Sequence, residues 1–276
     1  MSKGVLLFAL NNSEIDYIKL AEDTAKRVNK FLNVPVSIVT DSSSALTISN
    51  KDLFDSIIIV ENESYHLKRF SDGEKIAKSQ WKNSHRNSSF DLSPYDDTLV
   101  VDVDYVINSD LLSYCWEQPH DFLIYKQFFD IGQRKDISEF TYISDYSVPF
   151  YWATVFFFRK TPEVEQFFAL VSHIKSNWQY YKFIFQIRSS SFRNDFAFSI
   201  AIHIMNGYSS GDFAKNLPGK LFYILDRDIL VKKKDRDFYF LLEKENKNGE
   251  YIPAKISNND VHIMNKYSLI RMLENE

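Results

Sequence analysis

Two aspartates separated by one residue are the side chains of this chain best suited to chemistry. Asp102 and Asp104 flank Val103, directly after the apolar run at residues 98–101. If that run is a strand that continues through the triplet, both carboxylates leave the same face, with Cα atoms roughly 6 to 7 Å apart. Like charges beside an apolar strand are unfavourable unless they reach solvent or share a cation. The pattern therefore indicates a divalent-metal site, with a solvated strand end as the alternative.

The composition predicts a folded protein with a large core. The 276 residues are 45% hydrophobic and include 24 Phe and 16 Tyr but only 7 Gly, enough for one large domain or two lobes. Cys115 is the only cysteine, which excludes an intrachain disulfide and fits a reducing cytoplasm, or the host cytoplasm if the chain is phage-encoded. The apolar run 4–10 is too short for a membrane span and lacks a signal-peptide cleavage site. We therefore expect no membrane segment there.

The charge pattern limits the partners. A net charge of −4 argues against a general nucleic-acid coat protein. Two segments are nevertheless basic, residues 66–86 and Lys232-Lys233-Lys234. Most such runs are solvated faces, but either segment could bind a polyanion.

The order of apolar runs and amphipathic stretches predicts an α/β fold. Residues 4–10, 35–40 and 56–60 have the unbroken apolar pattern of buried strands, and a helix capped by Ser13 with apolar residues spaced through 15–32 follows the first. Further strands are expected at 122–125, 151–158, 238–242 and 261–264. Helices are expected to open at Thr161-Pro162 and at Asn194 or Asp195, with a last one near 268–273. The β-α-β order predicts a parallel sheet covered on both faces.

Polar residues follow the first two predicted strands. Because ligands of parallel sheets bind at the carboxyl ends of the strands, we expect these positions to share one rim with the aspartate pair. Turn formation and helix capping are the alternative role for the three side chains Asn11, Asn12 and Asp41. The rim residues predicted to bind a ligand are Ala9, Leu10, Asn11, Asn12, Thr40 and Asp41.

Four segments resemble a known family, the nucleotide-sugar-dependent glycosyltransferases of the GT-A fold, and within it the glycogenin- and galactosyltransferase-like group. Residues 93–107, Ser-Pro-Tyr-Asp-Asp-Thr-Leu-Val-Val-Asp-Val-Asp-Tyr-Val-Ile, are similar to that group's turn, strand and metal-binding Asp-x-Asp. Residues 152–159 resemble an acceptor-lobe strand, although its usual Asn and Gly are replaced. Residues 193–197 resemble the Asp-Gln or Asp-Glu element, with Phe196 at the second position. Residues 261–266 are similar to a C-terminal metal and diphosphate segment, and the opening strand and helix resemble glycosyltransferase-like proteins of tailed phages.

This resemblance implies a fold and a set of site residues. The fold would be one GT-A domain over 1–276, with a Rossmann-like, mostly parallel central sheet flanked by helices and a smaller mixed sheet on the acceptor side. Residues 1–112 would bind the nucleotide sugar, and residues 113–276 the acceptor. The implied metal ligands for Mn²⁺ or Mg²⁺ are Asp102, Asp104 and His262; Lys266 would contact the diphosphate, and Asp195 would position the sugar or take part in catalysis. We add Lys68 and Val103 to the predicted nucleotide-sugar contacts.

The expected activity is metal-dependent transfer of a hexosyl or pentosyl group from a nucleotide sugar to a hydroxyl group. The expected nucleotide is UDP, and the expected acceptor is a glycan, a protein or modified DNA. One alternative is a phage-type enzyme that modifies hydroxymethylated bases, with the basic segments binding DNA. Another is a non-enzymatic nucleic-acid-binding or assembly protein that uses the 66–86 face. A nucleotidylyltransferase is disfavoured because Asn11-Asn12-Ser13 stands where its Gly-rich loop would lie.

Overall fold

The computed structural model describes residues 2–61, 66–73, 75–82, 85–134, 141–144, 148–189, 192–245 and 247–275. Within these ranges the strands are β1 (Lys3–Phe8), β2 (Val36–Thr40), β3 (Ser56–Ile59), β4 (His66–Asp72), β5 (Lys75–Trp81), β6 (Asp97–Val101), β7 (Tyr105–Val106), β8 (Phe122–Tyr125), β9 (Phe128–Asp130), β10 (Trp152–Arg159), β11 (Leu221–Ile224), β12 (Ile229–Lys234), β13 (Asp237–Glu243), β14 (Tyr251–Ser257) and β15 (Val261–Ile263). The helices are α1 (Tyr17–Phe31), α2 (Ser42–Ala45), α3 (Ser89–Leu92), α4 (Pro162–Ser176), α5 (Trp178–Ile184), α6 (Asn194–Met205) and α7 (Lys266–Glu274). Short 3₁₀ helices span Lys51–Leu53, His85–Ser88 and Leu111–Glu117.

The central sheet has six strands in the order β3-β2-β1-β6-β10-β8. Strands β3, β2, β1 and β6 run parallel, and β10 is antiparallel to both of its neighbours. In register, Leu7 lies beside Ile38 on one side and Val101 on the other, all three buried. The predicted α/β class with a mostly parallel central sheet is confirmed.

Helix α1 packs an apolar stripe against this sheet. Ile18, Ala21, Ala25 and Val28 are spaced three or four residues apart and are all buried. The predicted N-cap, Ser13, is wrong: the helix begins at Tyr17, and Asp16 accepts a hydrogen bond from the Lys19 amide at 3.0 Å.

Residues 12–15 form a separate turn, which explains why the helix begins late. The Asn12 side chain accepts from the amides of Glu14 and Ile15, both at 2.9 Å. The Ser13 hydroxyl pairs with the Ser79 hydroxyl of β5 at 2.9 Å, so it is engaged with the hairpin instead of capping a helix.

Phenylalanine fills the space between the antiparallel half of the sheet and helices α4 and α6. Helix α4 begins as predicted, with Thr161 as its cap and Pro162 at its first position. Phe168 of α4 lies 5.0 Å from Phe158 and 6.1 Å from Phe156 of β10, and Phe156 lies 5.0 Å from Phe198 of α6. Packing on this cluster fixes the start of α6, which carries Asp195.

Three smaller sheets complete the described structure. The four-stranded sheet β7-β15-β11-β9 is mixed: β11 runs parallel to β15 and β9, and β15 runs antiparallel to β7. Strands β12, β13 and β14 form an antiparallel meander, and β4 and β5 form a hairpin. The hairpin accounts for most of the basic 66–86 segment. None of the described helices is both long and apolar enough to cross a bilayer.

Candidate metal and phosphate site

A tight turn presents the two aspartates. Strand β6 ends at Val101, where the Asp102 amide donates to the Thr154 carbonyl at 2.9 Å. The Tyr105 amide then donates back to the Asp102 carbonyl, also at 2.9 Å, and β7 begins. The expectation that the triplet continues a strand is therefore wrong, since a turn aims the carboxylates.

The third predicted ligand arrives through strand pairing. His262 of β15 lies opposite Tyr105 of β7, and the Ile263 amide donates to the Asp104 carbonyl at 2.8 Å. One ligand atom from each of Asp102, Asp104 and His262 lies within 4.8 Å of the others. The structure thus brings together all three residues predicted to hold a metal.

The donor set suits a hard divalent cation. Two carboxylates and one imidazole are ligands for Mn²⁺, and also for Mg²⁺ when phosphate oxygens complete the shell. His262 Nε2 lies 3.3 Å from Asp104 Oδ2, and its Nδ1 is buried without a hydrogen-bond partner among the described residues. Nε2 is therefore the ring nitrogen placed beside a carboxylate, and the convergence of two carboxylate oxygens and one imidazole nitrogen fits an added cation.

Two cations balance the aspartates. Lys266, the first residue of α7, forms an ion pair with Asp104, and Arg86 forms one with Asp102. Burial alone would raise the pKa of the Asp104 carboxyl, but Lys266 and His262 outweigh it and hold that pKa well below its usual value. Burial would likewise lower the pKa of Lys266, yet Asp104 raises it above the ordinary value. Both groups are therefore charged at neutral pH.

A cleft of about 540 Å³ surrounds this cluster. Hairpin residues of β4 and β5 form part of its wall, among them Lys68 and Trp81. The Lys68 ammonium lies 5.7 Å from the centre of the Trp81 ring. Lys68 is an exposed residue as a whole, but protein atoms around its ammonium limit its contact with water, and this, followed by repulsion from Lys266, lowers the pKa of Lys68 to about 8. The predicted contact residue Val103 also lines the cleft.

Asp195, the second residue of α6, belongs to another part of the cleft wall. One carboxylate oxygen accepts from the Ala153 amide at 2.9 Å, and the other accepts from the Arg193 guanidinium at 2.8 and 3.0 Å. The ring of Trp152 stands edge-on to His262 at 5.7 Å and links this wall to the aspartate cluster. Asp195 is thus held rigidly beside the cleft.

The rim residues after β1 and β2 have local structural contacts. Thr40 donates to the Ala9 carbonyl at 2.6 Å, Asp41 caps α2 through the Ser44 amide at 2.7 Å, and the Asn11 side chain accepts from the Ile18 amide at 3.0 Å. These are the capping and turn contacts weighed as the alternative. The cleft is bordered at this point by Phe8 instead of Ala9, Leu10, Asn11, Asn12, Thr40 or Asp41. A role for these six residues in nucleotide binding stays a prediction.

Two cleft residues were not singled out from the sequence. Arg86 was one of several cations in a basic segment, and only the fold shows that it pairs with Asp102 and donates to the Ala153 carbonyl at 3.1 Å. Asn194 was predicted only as a possible start of a helix, although its side chain is buried in the cleft wall. Neither type of residue has a local sequence signal for such a position.

Several known structures with a similar chain course are glycosyltransferases. The galactosyltransferase LgtC, solved in complex with donor and acceptor sugar analogues, is 12% identical over 77% of this chain and 72% of its own, with a TM-score of 0.49. GlyE of Streptococcus pneumoniae is 14% identical over 79% of this chain and 45% of its own, with a TM-score of 0.45. Mouse xyloside xylosyltransferase 1 is 13% identical over 74% and 82%, with a TM-score of 0.40. No protein-family model and no curated protein sequence matches the chain. At such distant similarity, the chemistry of the cleft itself has to indicate the function.

Proposed function

We propose that the protein is a metal-dependent glycosyltransferase that uses a nucleotide-sugar donor, with UDP as the expected nucleotide. The observation that carries the proposal is the convergence of Asp102, Asp104 and His262 within 4.8 Å in a cleft that also contains cationic side chains. Carboxylates alone would suit many cations. Carboxylates beside Lys266, Lys68 and Arg86 suit a cation that arrives with a polyanion, as a metal–diphosphate does.

Each group then has a distinct part in the transfer. Asp102, Asp104 and His262 would hold Mn²⁺ or Mg²⁺, which when bound supplies positive charge for the departing diphosphate. Lys266 lies beside the same cluster, and its ammonium would stabilise the negative charge that develops on the leaving phosphate. Asp195 would position the donor sugar, because its carboxylate is fixed at the cleft by two separate partners.

In this proposal the two parts of the chain, residues 1–112 and 113–276, both bind the donor. Asp102 and Asp104 come from residues 1–112, and His262 and Lys266 come from residues 113–276. A donor bound to all four would therefore be held by both parts. The acceptor, whether a glycan, a protein or modified DNA, would enter from the side of residues 113–276.

A thermal-shift screen tests the proposal. UDP, GDP, UDP-glucose, UDP-galactose, UDP-N-acetylglucosamine and GDP-mannose are each added with Mn²⁺ or with EDTA. At a ligand concentration of 100 times Kd, binding adds about 2.7 kcal/mol to the free energy of unfolding. We expect at least one nucleotide sugar to raise the melting temperature with Mn²⁺ and not with EDTA.

A matched pair of variants assigns the effect to the cluster. Asp102→Asn removes a proposed ligand and should abolish the metal-dependent shift. Asp121→Asn changes an exposed aspartate that lies 3.8 Å from Arg159 and does not line the cleft, and it should leave the shift intact. No shift with any compound, or an equal shift in Asp102→Asn, would overturn the proposal. Release of free sugar from the binding nucleotide sugar then establishes the chemistry.

A further inference from the structure

Asn194 is a buried amide without a partner in the wall of the cleft. It is the first residue of the twelve-residue helix α6, and it is only 3% exposed. Neither its side-chain oxygen nor its side-chain nitrogen has a hydrogen-bond partner among the described residues. Asn194 lines the same cleft as Asp102 and Asp104, so a ligand in that cleft would lie against this part of the wall.

The neighbouring residues do not explain this amide. Asp195, the next residue, has both oxygens engaged, with the Ala153 amide and the Arg193 guanidinium. Phe196 packs on aromatic rings, 6.1 Å from Trp178 and 5.9 Å from Phe150, so no polar group comes from that position. An apolar side chain at 194 would avoid the loss of water that an unpaired amide suffers on burial. The amide is therefore unfavourable for the fold alone.

The chemistry of an amide indicates the part of a ligand that it binds. A diphosphate offers only acceptors, which would leave the Asn194 oxygen unpaired, and a cation would leave its nitrogen unpaired. Sugar hydroxyls both donate and accept, so two adjacent hydroxyls can satisfy the oxygen and the nitrogen together. The ribose of the nucleotide offers the same groups, but Asn194 is adjacent in the chain to Asp195, the residue proposed to position the transferred sugar. Asp102, Asp104 and Lys266, which line the same cleft, already suit the charged part of a donor.

We propose that Asn194 binds hydroxyls of the transferred sugar and so determines which nucleotide sugar is accepted. This inference rests on the proposed function, since it assumes a nucleotide-sugar donor in this cleft. In this proposal Asn194 makes no contact with the nucleoside diphosphate. It therefore discriminates a donor from the diphosphate that remains after transfer.

The test compares each nucleotide sugar with its nucleoside diphosphate on variants of Asn194. Affinities are measured by calorimetry with Mn²⁺ for UDP-glucose, UDP-galactose, UDP-N-acetylglucosamine, UDP, GDP-mannose and GDP, on the wild type and on Asn194→Ala. For the tightest-binding nucleotide sugar we expect the variant to lose about 10- to 100-fold in affinity, the value of two hydrogen bonds. Affinity for the matching nucleoside diphosphate should be unchanged. Asn194→Leu fills the volume of the amide and should give the same pattern, which guards against a packing defect in the alanine variant.

The melting temperature without ligand distinguishes a residue that contacts the ligand from one that supports the fold. Without ligand, Asn194→Leu should melt at or above the wild-type temperature, because it removes an unpaired buried amide. Asn206→Ala, at the other end of α6, removes an amide that accepts from the Phe213 backbone at 3.1 Å, and should lower the melting temperature without changing donor discrimination. Equal losses for nucleotide sugar and diphosphate, or no loss for either, would overturn the inference. If the wild type binds the nucleoside diphosphate, and no nucleotide sugar binds more tightly than that diphosphate, the inference about Asn194 also fails while the metal–diphosphate site stands. If the wild type binds neither kind of ligand, the proposed function fails.

Discussion

Replacement of Asp104 by Asn tests how the buried charges of the cleft support one another. Asp104 is 4% exposed, and one of its oxygens contacts both the Lys266 ammonium and His262 Nε2. Asn keeps the shape and removes the charge, which leaves Lys266, with 11% of its side chain exposed, beside a neutral amide. Breaking a buried ion pair from one side costs about 3 to 5 kcal/mol. Since the Asn oxygen still accepts a hydrogen bond, we take the lower value of about 3 kcal/mol.

This loss of stability corresponds to a measurable change in melting temperature. In a chain of this size each kcal/mol changes the melting temperature by about 2 to 4 °C, so metal-free Asp104→Asn should melt about 6 to 12 °C below the wild type at pH 7. The Asp104 carboxyl has a pKa below its ordinary 3.8 in the folded state. Its stabilisation is thus complete above the unfolded pKa and is lost as the pH falls through the folded pKa. The difference between the two proteins should narrow below about pH 4, as followed by circular dichroism.

A double variant identifies the partner. Asp104→Asn/Lys266→Met removes both charges, and it should regain most of the stability lost in Asp104→Asn. The Mn²⁺-dependent shift should be absent from both variants. A single variant that melts with the wild type, or a double variant no more stable than the single one, would refute the view that Asp104 and Lys266 hold each other in the cleft.

Three further changes have defined outcomes. The affinity of the wild type for UDP, measured with Mg²⁺, should fall up to about 10-fold per pH unit above pH 8, because the Lys68 ammonium, with its pKa of about 8, loses its proton. Lys68→Arg should bind UDP equally from pH 7 to 9.5. If the wild type also binds UDP equally over that range, Lys68 does not belong to the phosphate site. Asp195→Asn keeps an acceptor for the Ala153 amide but weakens the contact with Arg193. This variant should transfer sugar about 100-fold more slowly, with unchanged affinity for UDP. A normal transfer rate would mean that Asp195 has no part in the mechanism. Gly4→Ala would place Cβ 2.5 Å from the Tyr95 ring, and should lower the free energy of unfolding in urea by about 1 to 3 kcal/mol; no loss would mean that the ring moves freely.

Local patterns predicted most of the central fold. The strands at 35–40 and 56–60 and the Thr161-Pro162 helix start follow from short-range features, namely unbroken apolar runs and a cap followed by proline. The position of His262 near the aspartates came from the resemblance alone, because nothing within residues 261–266 indicates that β15 pairs with β7. The pairing depends on contacts more than 150 positions apart in the chain, which a local pattern does not contain.

Other features that the sequence did not reveal depend on distant contacts in the same way. The 66–86 segment was interpreted as a basic face, and its cross-strand pairs, such as Arg69 with Lys78, become visible only once the hairpin is formed. Ser13 has the residue type of a cap but is bonded to Ser79, a contact across 66 positions. Asn194 has the residue type of a helix start, and only its unpaired burial in the cleft distinguishes it from an ordinary one.

The pairing of β15 with β7 also sets when the cleft can exist during synthesis. Asp102 and Asp104 leave the ribosome roughly 160 residues before His262 and Lys266, an interval of about 8 to 30 s at ordinary translation rates. Until then the nascent chain has the turn and the carboxylates but not the strand and helix that complete the cluster. Binding of a metal–diphosphate ligand would therefore favour only chains in which β15 has paired with β7, and would make that ligand a selective stabiliser of chains with a complete cluster.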